Sequence, residues 1–203
     1  MSKIFWGMQH LNENLLCAVR CELTGNDPER HELLEVAVVP LNHKLEIHSE
    51  IPLFNMMIRP ENINEIDYDK CRVPRNRIAN AILTAVTADK AADFFIKWYQ
   101  SIGQKERKRI IPLAHGWPKQ RSMFIKWLGY DVFQDIFSED YRDTLICAHY
   151  VNDKQCVQAE KCVFNKQLFS WIAKQLNVNI IDHFSALAEC EALPKVYKGL
   201  LRV

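Results

Sequence analysis

The chain has 203 residues, of which 48% are hydrophobic and 25% charged, which is the composition of a globular protein. Its 26 lysines and arginines nearly balance its 25 aspartates and glutamates. This balance excludes a strongly basic protein that coats nucleic acid, but it leaves room for a local basic groove. No apolar run reaches the ~18 residues of a membrane span, and the first ten residues lack a signal-peptide pattern. We therefore expect a cytoplasmic protein without a membrane partner.

The first part of the chain predicts three β-strands. Residues 14–22 form a short apolar run, and the turn-forming sequence TGNDPE separates it from a Val- and Leu-rich run at 31–41. A third apolar run follows at 53–60. Because the links between these runs are short, we expect an antiparallel meander.

Strands and helices alternate in the rest of the chain. Pro74 can open a short helix, and Thr87 is a candidate N-cap for a helix at 88–102. Pro194 predicts a kink or break in the last helix. The remaining predicted elements are a strand at 110–117, a helix at 121–129, a strand running into a helix at 141–151, and helices at 166–178 and 183–201. This order predicts one α/β domain over residues 1–203, with residues 1–13 as a possible N-terminal arm.

Seven cysteines are present, and this odd number excludes a fully paired disulfide framework. Reduced thiols in a cytosolic protein are therefore expected. The nearest approach to a zinc pattern is Cys156 and Cys162 with His149 upstream. Structural zinc sites usually show two tight ligand pairs, so we favour scattered thiols over a zinc site.

Several segments, taken in order, resemble the motifs of the DnaQ-like (DEDD) 3'–5' exonuclease superfamily. Glu22, Thr24 and Gly25 match the end of its first motif, and Leu-Glu-Val-Ala at 34–37 matches its second strand. The other matching segments are IRP at 58–60, LAHGWPKQRSMFIKWLG at 113–129, RDTL at 142–145 and HFSALAECEAL at 183–193. The resemblance implies a ribonuclease H-like fold: a mixed sheet of about five strands, led by an antiparallel meander, with helices on both faces.

The resemblance breaks at the acidic residues that bind metal ions in this family. Arg20 stands at the first aspartate position and Gln120 at the second-motif aspartate position, whereas Glu22 keeps its acid and Glu189 replaces the last aspartate. His183 would correspond to the general-base histidine. It lies six residues before Glu189 instead of five, and one extra residue rotates a helical position by ~100°.

Arg20 has a direct physical consequence for a metal site. Enzymes of this kind use two divalent ions about 4 Å apart, and such hard cations need carboxylate ligands. A permanent guanidinium cation repels them and can pair with Glu22 or Glu189 instead. We expect no metal and no cofactor. If the site still works, Mg²⁺ or Mn²⁺ would be held by Glu22 and Glu189.

The resemblance also implies a groove that binds substrate. Its expected lining residues are Thr24, Gly25, His115, Lys119, Arg121 and Asp143. Two of them have a structural alternative, since His115 suits a hydrogen-bonded strand end and Asp143 can cap the segment that follows it. The basic run KERKR at 105–109 is either a solvated loop or part of the rim of this groove.

Three functions remain open from the sequence. The favoured one is a degenerate exonuclease that lacks activity and acts as a binding or interaction module, with a protein partner or as a homodimer. The second is an active metal-dependent 3'–5' exonuclease on DNA or RNA, in which Glu22, Asp143, Glu189 and His183 hold one metal ion in an altered geometry and His183 is the base. The third is a non-cleaving protein that binds single-stranded nucleic acid.

Overall fold

The computed structural model describes residues 14–102, 109–159 and 162–203. The expected arm at 1–13 and most of the basic run at 105–109 lie outside these ranges. Five strands form one sheet in the order β3-β2-β1-β4-β5. Their bounds are β1 Leu15–Leu23, β2 Leu33–Pro40, β3 Phe54–Met57, β4 Ile110–Ala114 and β5 Arg142–Asp143.

The sheet combines antiparallel and parallel pairing. β1 pairs antiparallel with β2, and β2 pairs antiparallel with β3, which confirms the predicted meander. β4 pairs parallel with both β1 and β5. The predicted mixed five-stranded sheet is therefore confirmed, with β1 at its centre.

Seven α-helices and one short 3-10 helix are assigned within the described residues. Their bounds are α1 Arg75–Thr84, α2 Ala88–Ile102, α3 Trp117–Leu128, α4 Tyr130–Ile136, α5 Thr144–Ala159, α6 Phe169–Gln175 and α7 Ala186–Leu200, with the 3-10 turn at Ile63–Glu65. None of the helices in this part of the chain has the length and apolarity to cross a bilayer.

Helices cover both faces of the sheet, as expected. Side chains alternate along a strand, so Leu16 and Ala18 of β1 face one side, where they pack in a cluster with residues of α5, α6 and α7. Cys17 and Val19 face the other side and pack with residues of α2, α3 and α4. The strand is therefore buried on both faces. Its next residues on the Leu16–Ala18 face, Arg20 and Glu22, are directed toward α7.

The bounds of several predicted elements were wrong, among them the helix predicted at 121–129, which spans Trp117–Leu128, and the helix predicted at 166–178, which spans Phe169–Gln175. Trp117 belongs to α3 and not to the preceding strand, because Gly116 turns the chain with a φ of 72° and the helix begins after it. The last helix begins at Ala186 instead of His183, since the Ser185 hydroxyl accepts the Ala188 amide as its N-cap.

Two further differences concern helices. α4 was not predicted, and it follows a second turn at Gly129, where φ is 80°. The predicted break at Pro194 was wrong, because α7 continues through this residue to Leu200. Pro194 is buried inside this helix, although proline lacks the amide that would donate a helical hydrogen bond.

Candidate functional site

Two charged residues of β1 meet a glutamate of α7 beneath the surface. Arg20 and Glu22 are two positions apart, so their side chains leave the strand on the same face. The Arg20 Nε lies 2.6 Å from Oε2 of Glu189 and 3.9 Å from Oε1 of Glu22. The exposed fraction of the side chain is 12% for Arg20, 3% for Glu22 and 0% for Glu189. The residues at three of the resembled acidic positions thus form one buried ion-pair cluster.

A second arginine, Arg72, completes this cluster. It lies in the irregular segment before α1. Its Nη2 pairs with Oε1 of Glu189 and also donates to the His183 carbonyl at 2.5 Å, and its Nη1 lies 3.9 Å from Oε1 of Glu22. Two guanidinium groups therefore face two carboxylates, and the formal charges cancel. We call Arg20, Glu22, Arg72 and Glu189 the arginine–glutamate cluster.

The two carboxylates of the cluster are not equally well paired. Among the described residues, Glu22 Oε1 has no hydrogen-bond partner, and its two guanidinium neighbours are both 3.9 Å away. Burial raises the pKa of the Glu22 carboxyl, and the nearby charges of Arg20 and Arg72 only partly offset this. Glu189, in contrast, is in close contact with both arginines.

Arg20 remains charged in this environment. Burial disfavours its charged form, but the carboxylates of Glu189 and Glu22 outweigh burial and leave the pKa of Arg20 above its usual value. The 2.6 Å contact of its Nε with Glu189 is an ion pair without hydrogen-bond alignment. Arg20 Nη1 also donates to the His115 carbonyl at 3.5 Å.

Glu35 of β2 holds the start of α7 and so fixes the position of Glu189. It pairs with Glu22 across the two strands in the sheet register, which places two carboxylates side by side. Glu35 Oε2 accepts the Ala186 amide at 3.1 Å, and its Oε1 accepts the Ser185 hydroxyl at 3.3 Å. Arg77 of α1 lies 3.4 Å from Glu35 and supplies a balancing charge. A carboxylate at a helix N-terminus is stabilised by the free amides there.

Gln120 of α3 makes a structural link at the second-motif aspartate position. Its Oε1 accepts the Cys21 amide at 3.2 Å, and its Nε2 donates to the His115 carbonyl at 3.0 Å. A carboxylate could not make both bonds, since an ionised acid only accepts. The amide side chain therefore ties α3 to β1 and to the end of β4.

Asp143 and His115 hold backbone at the carboxyl ends of β5 and β4. Asp143 accepts the amides of Gly116 at 3.0 Å, Trp117 at 2.7 Å and Leu145 at 2.8 Å. The His115 ring lies between the Thr144 hydroxyl, 2.9 Å away, and the Gln167 carbonyl, 2.8 Å away. Burial lowers the pKa of His115, which favours the neutral ring. These contacts agree with the structural alternative for both residues.

The other expected substrate-binding residues have partners of their own. The Thr24 hydroxyl accepts the Glu32 amide at 2.9 Å, and the Lys119 ammonium donates to Asn26 Oδ1 at 2.9 Å. The Arg121 guanidinium lies over the Phe133 ring, 5.5 Å from its centroid. At Gly25, a Cβ atom would lie 2.3 Å from the His31 ring, so only glycine fits there.

His183 does not share a helix with Glu189. It lies in the loop before α7, so the loop and not the helical rotation decides its direction. Its side chain is exposed, and its carbonyl accepts from Arg72. A general base must lie within reach of a water at the reacting centre. The backbone of His183, and not its ring, contacts the arginine–glutamate cluster.

The residues present do not fit a two-metal centre. Within the described ranges, no group of three or more His, Cys, Asp and Glu side chains is placed to hold a metal ion. Both acids of the cluster face guanidinium groups instead. The sequence identified Arg20, Glu22 and Glu189, but it gave no signal for Arg72. The segment CRVPR has no periodicity or spacing that would join it to β1 and α7.

No protein-family model and no curated protein matches the sequence. Solved structures share its fold. Cell-death related nuclease 4 (CRN-4) is 15% identical, with a TM-score of 0.64 over 96% of this chain and 66% of its own. The nuclease domain of 3'hExo, described as a DEDDh family member bound to rAMP, is 17% identical, with a TM-score of 0.63 over 94% and 92%. E. coli Exonuclease I, in complex with a dA16 oligonucleotide, is 11% identical, with a TM-score of 0.62 over 93% and 41%.

These likenesses establish the fold. The chain has the ribonuclease H-like α/β fold found in DEDDh exonucleases, which confirms the resemblance at the level of architecture. It spans less than two thirds of the matched chains of CRN-4 and Exonuclease I. Identities this low carry no residue's role across to this chain.

Proposed function

We propose that this chain is a degenerate protein of the 3'–5' exonuclease fold, without nuclease activity, that acts as a binding or interaction module. The observation that carries the proposal is the arginine–glutamate cluster. Its two carboxylates stand at positions where the resembled family has metal-binding acids. Arg20 and Arg72 contact Glu189 closely and lie 3.9 Å from Glu22, so their charges balance those of the two acids. Uncatalysed phosphodiester hydrolysis is extremely slow, so a site that holds no metal would leave no useful rate.

The contacts of the surrounding residues support the same proposal. Gln120 and Asp143 are engaged with the backbone of β1, α3 and α5. An active enzyme would need these groups, or others, to turn toward a metal ion. It would also have to move Arg20 out of a buried ion pair, which is costly because the charge would lose its partner. A protein that keeps the fold but fills the site in this way is suited to binding, with a protein partner or a second copy of the chain.

The test is digestion of 5'-labelled single-stranded DNA and RNA with Mg²⁺ or Mn²⁺. An EDTA control, the Glu22→Gln variant and an active enzyme of the same fold are run in parallel. We expect no shortened products from a protein that circular dichroism shows to be folded. A 3'–5' ladder that needs both the metal and Glu22 would contradict the proposal and support an active exonuclease with a rearranged site. A ladder that persists unchanged in Glu22→Gln identifies a contaminating nuclease.

Binding of single-stranded nucleic acid without cleavage is the second candidate function. Lys119 and Arg121 favour it, since both belong to the segment that resembles the second motif. However, both have protein partners, and the charge of the whole chain is near zero. A labelled oligonucleotide whose affinity falls steeply with salt would support this function, because phosphate contacts release counterions. The homodimer that the first proposal allows is tested separately, by measuring the molar mass of the protein in solution. We also propose that the protein is cytoplasmic.

A further inference from the structure

Two thiols lie in contact at the end of α5. Cys156 is in the last turns of the helix, and Cys162 lies in the segment that follows it. Their Sγ atoms are 3.0 Å apart. Cys162 is exposed and Cys156 is half-buried, so small molecules in solution can reach both.

A hydrogen-bond clamp fixes this approach independently of the sulfur atoms. Asn152 lies one turn before Cys156 on α5, so the two side chains share a helix face. Its Oδ1 accepts the amides of Val163 at 3.0 Å and Phe164 at 2.7 Å, and its Nδ2 donates to the Phe164 carbonyl at 2.7 Å. The residues directly after Cys162 are therefore attached to α5, and Cys162 is held opposite Cys156.

The other thiols are in different environments. Cys17, Cys21 and Cys190 are buried, and burial raises the pKa of Cys21 to about 12. Cys71 and Cys147 are half-buried, and the pKa of each is raised, mainly by burial. Thiolates are the reactive form, so these five cysteines are poor nucleophiles. Among the described residues, Cys156 and Cys162 make the one thiol–thiol contact.

We propose that Cys156 and Cys162 form a reversible dithiol–disulfide site whose co-reactant is a small disulfide such as glutathione disulfide. The thiolate of one cysteine attacks the small disulfide, forms a mixed disulfide and releases one small thiol. The thiolate of the other cysteine then attacks the protein sulfur of the mixed disulfide and releases the second small thiol. In total, the two protein thiols lose two electrons and two protons, and one small disulfide becomes two thiols.

The order of attack follows from the contact between the two sulfur atoms. The hydrogen bond with Cys162 raises the pKa of Cys156. Cys162 is also the more exposed of the two. We therefore expect Cys162 to attack first and Cys156 to resolve the mixed disulfide.

The bond would close a short loop that leads toward the arginine–glutamate cluster. The segment 163–168 contains Gln167, whose carbonyl lies 2.8 Å from Nε2 of His115. His115 in turn accepts from Arg20 through its own carbonyl. Oxidation at α5 would therefore restrain the segment that holds His115, and slower hydrogen exchange over 163–168 is the expected sign. This consequence does not depend on whether the protein is a nuclease.

The experiment equilibrates the reduced, folded protein with glutathione and glutathione disulfide, then blocks free thiols with N-ethylmaleimide. Trypsin cleaves after Lys154, Lys161 and Lys166, so a disulfide joins peptide 155–161 to peptide 162–166. We expect this linked species in monomeric protein, two hydrogens lighter than the sum of its parts. Maleimide labelling of Cys162 should fall by about tenfold or more and return after treatment with dithiothreitol.

Serine variants make the result specific. Cys147→Ser, on the same helix, should leave the linked peptide unchanged. Cys156→Ser should leave Cys162 as a stable mixed disulfide with glutathione, because no resolving thiol is present. The proposal would be overturned if Cys162 of the wild type stayed fully labelled, if it stopped at the mixed disulfide, or if the link joined two chains.

Discussion

Arg20 of β1 and Glu189 of α7 form a buried ion pair, with the arginine Nε 2.6 Å from the glutamate Oε2. The pair joins the central strand to the last helix of the fold. A buried charge that loses its partner is strongly destabilising, whereas a surface charge is not. Glu189 and Glu191 lie two positions apart on α7, one buried and the other partly exposed. Replacing each of them with glutamine therefore compares a buried charge with a more exposed one on the same helix.

Glu189→Gln should lower the free energy of unfolding by about 3–5 kcal/mol, because Arg20 then loses its close countercharge and keeps only the Glu22 carboxylate, 3.9 Å away. Glu191→Gln should change it by less than about 0.5 kcal/mol, since Glu191 is only partly buried and forms no ion pair with the part of the chain that the structure describes. Urea denaturation of both variants measures the difference. A loss for Glu189→Gln as small as that expected for Glu191→Gln would mean that the ion pair contributes nothing to stability.

Glu22→Gln should change the pH dependence of stability. Since burial raises the pKa of Glu22, the folded state prefers the protonated carboxyl. The stability contributed by this group is therefore fully present below its unfolded pKa of about 4.3 and is lost as the pH rises through the folded pKa. Glutamine mimics the protonated form. The stability of Glu22→Gln relative to the wild type should thus increase from acid toward neutral pH.

Parallel thermal denaturation of Glu22→Gln and the wild type from acid to neutral pH tests this sign. The difference between the two proteins removes the contribution of the other carboxylates. A Glu22→Gln protein that becomes progressively less stable than the wild type as the pH rises would show that the two arginines lower the pKa of Glu22 instead.

Gln120→Ala should cost about 1–3 kcal/mol of stability, because the Cys21 amide and the His115 carbonyl lose a buried partner. Lys119→Ala is the control on the same helix. Its contact with Asn26 is exposed, so a change within about 0.5 kcal/mol is expected. If Gln120→Ala were as stable as Lys119→Ala, the two hydrogen bonds of the Gln120 side chain would not contribute to stability, and the structural role given to this residue would be wrong.

Asp143→Asn distinguishes a structural role from substrate binding. Its carboxylate accepts three amides, two of them at the start of α3, and the amide side chain can replace only part of these bonds. We expect a loss of about 1–2 kcal/mol in stability and no change in affinity for single-stranded oligonucleotides. An unchanged stability together with weaker binding would place Asp143 in a substrate groove.

The sequence predicted the sheet because its signals were local and strong. The runs at β1 and β2 are Val- and Leu-rich and bounded by turn residues, so the meander followed directly. α4 was not predicted, because its seven residues are too few to show a helical period. The course of α7 through Pro194 also was not predicted, because proline is a local signal for a break and the tertiary contacts that bury this residue are not visible in the sequence.

The candidate site was only partly predictable, because some of its contacts depend on the tertiary structure. Arg20, Glu22 and Glu189 could be named because motif order placed them. Arg72 comes from an irregular segment, and only the tertiary structure brings it to Glu189. The link made by Gln120 likewise depends on two backbone groups that no sequence pattern displays. The alternatives stated for His115 and Asp143, a hydrogen-bonded strand end and a cap, match their contacts.

The most direct test of the account is a Mn²⁺ titration of the folded protein, with free Mn²⁺ measured by electron paramagnetic resonance. Our prediction is that Arg20 and Arg72 exclude divalent ions, so the wild type and Glu22→Gln should both leave the Mn²⁺ signal at its value in buffer, even at millimolar metal. Sequestration of one or two ions per chain by the wild type, lost in Glu22→Gln, would contradict it.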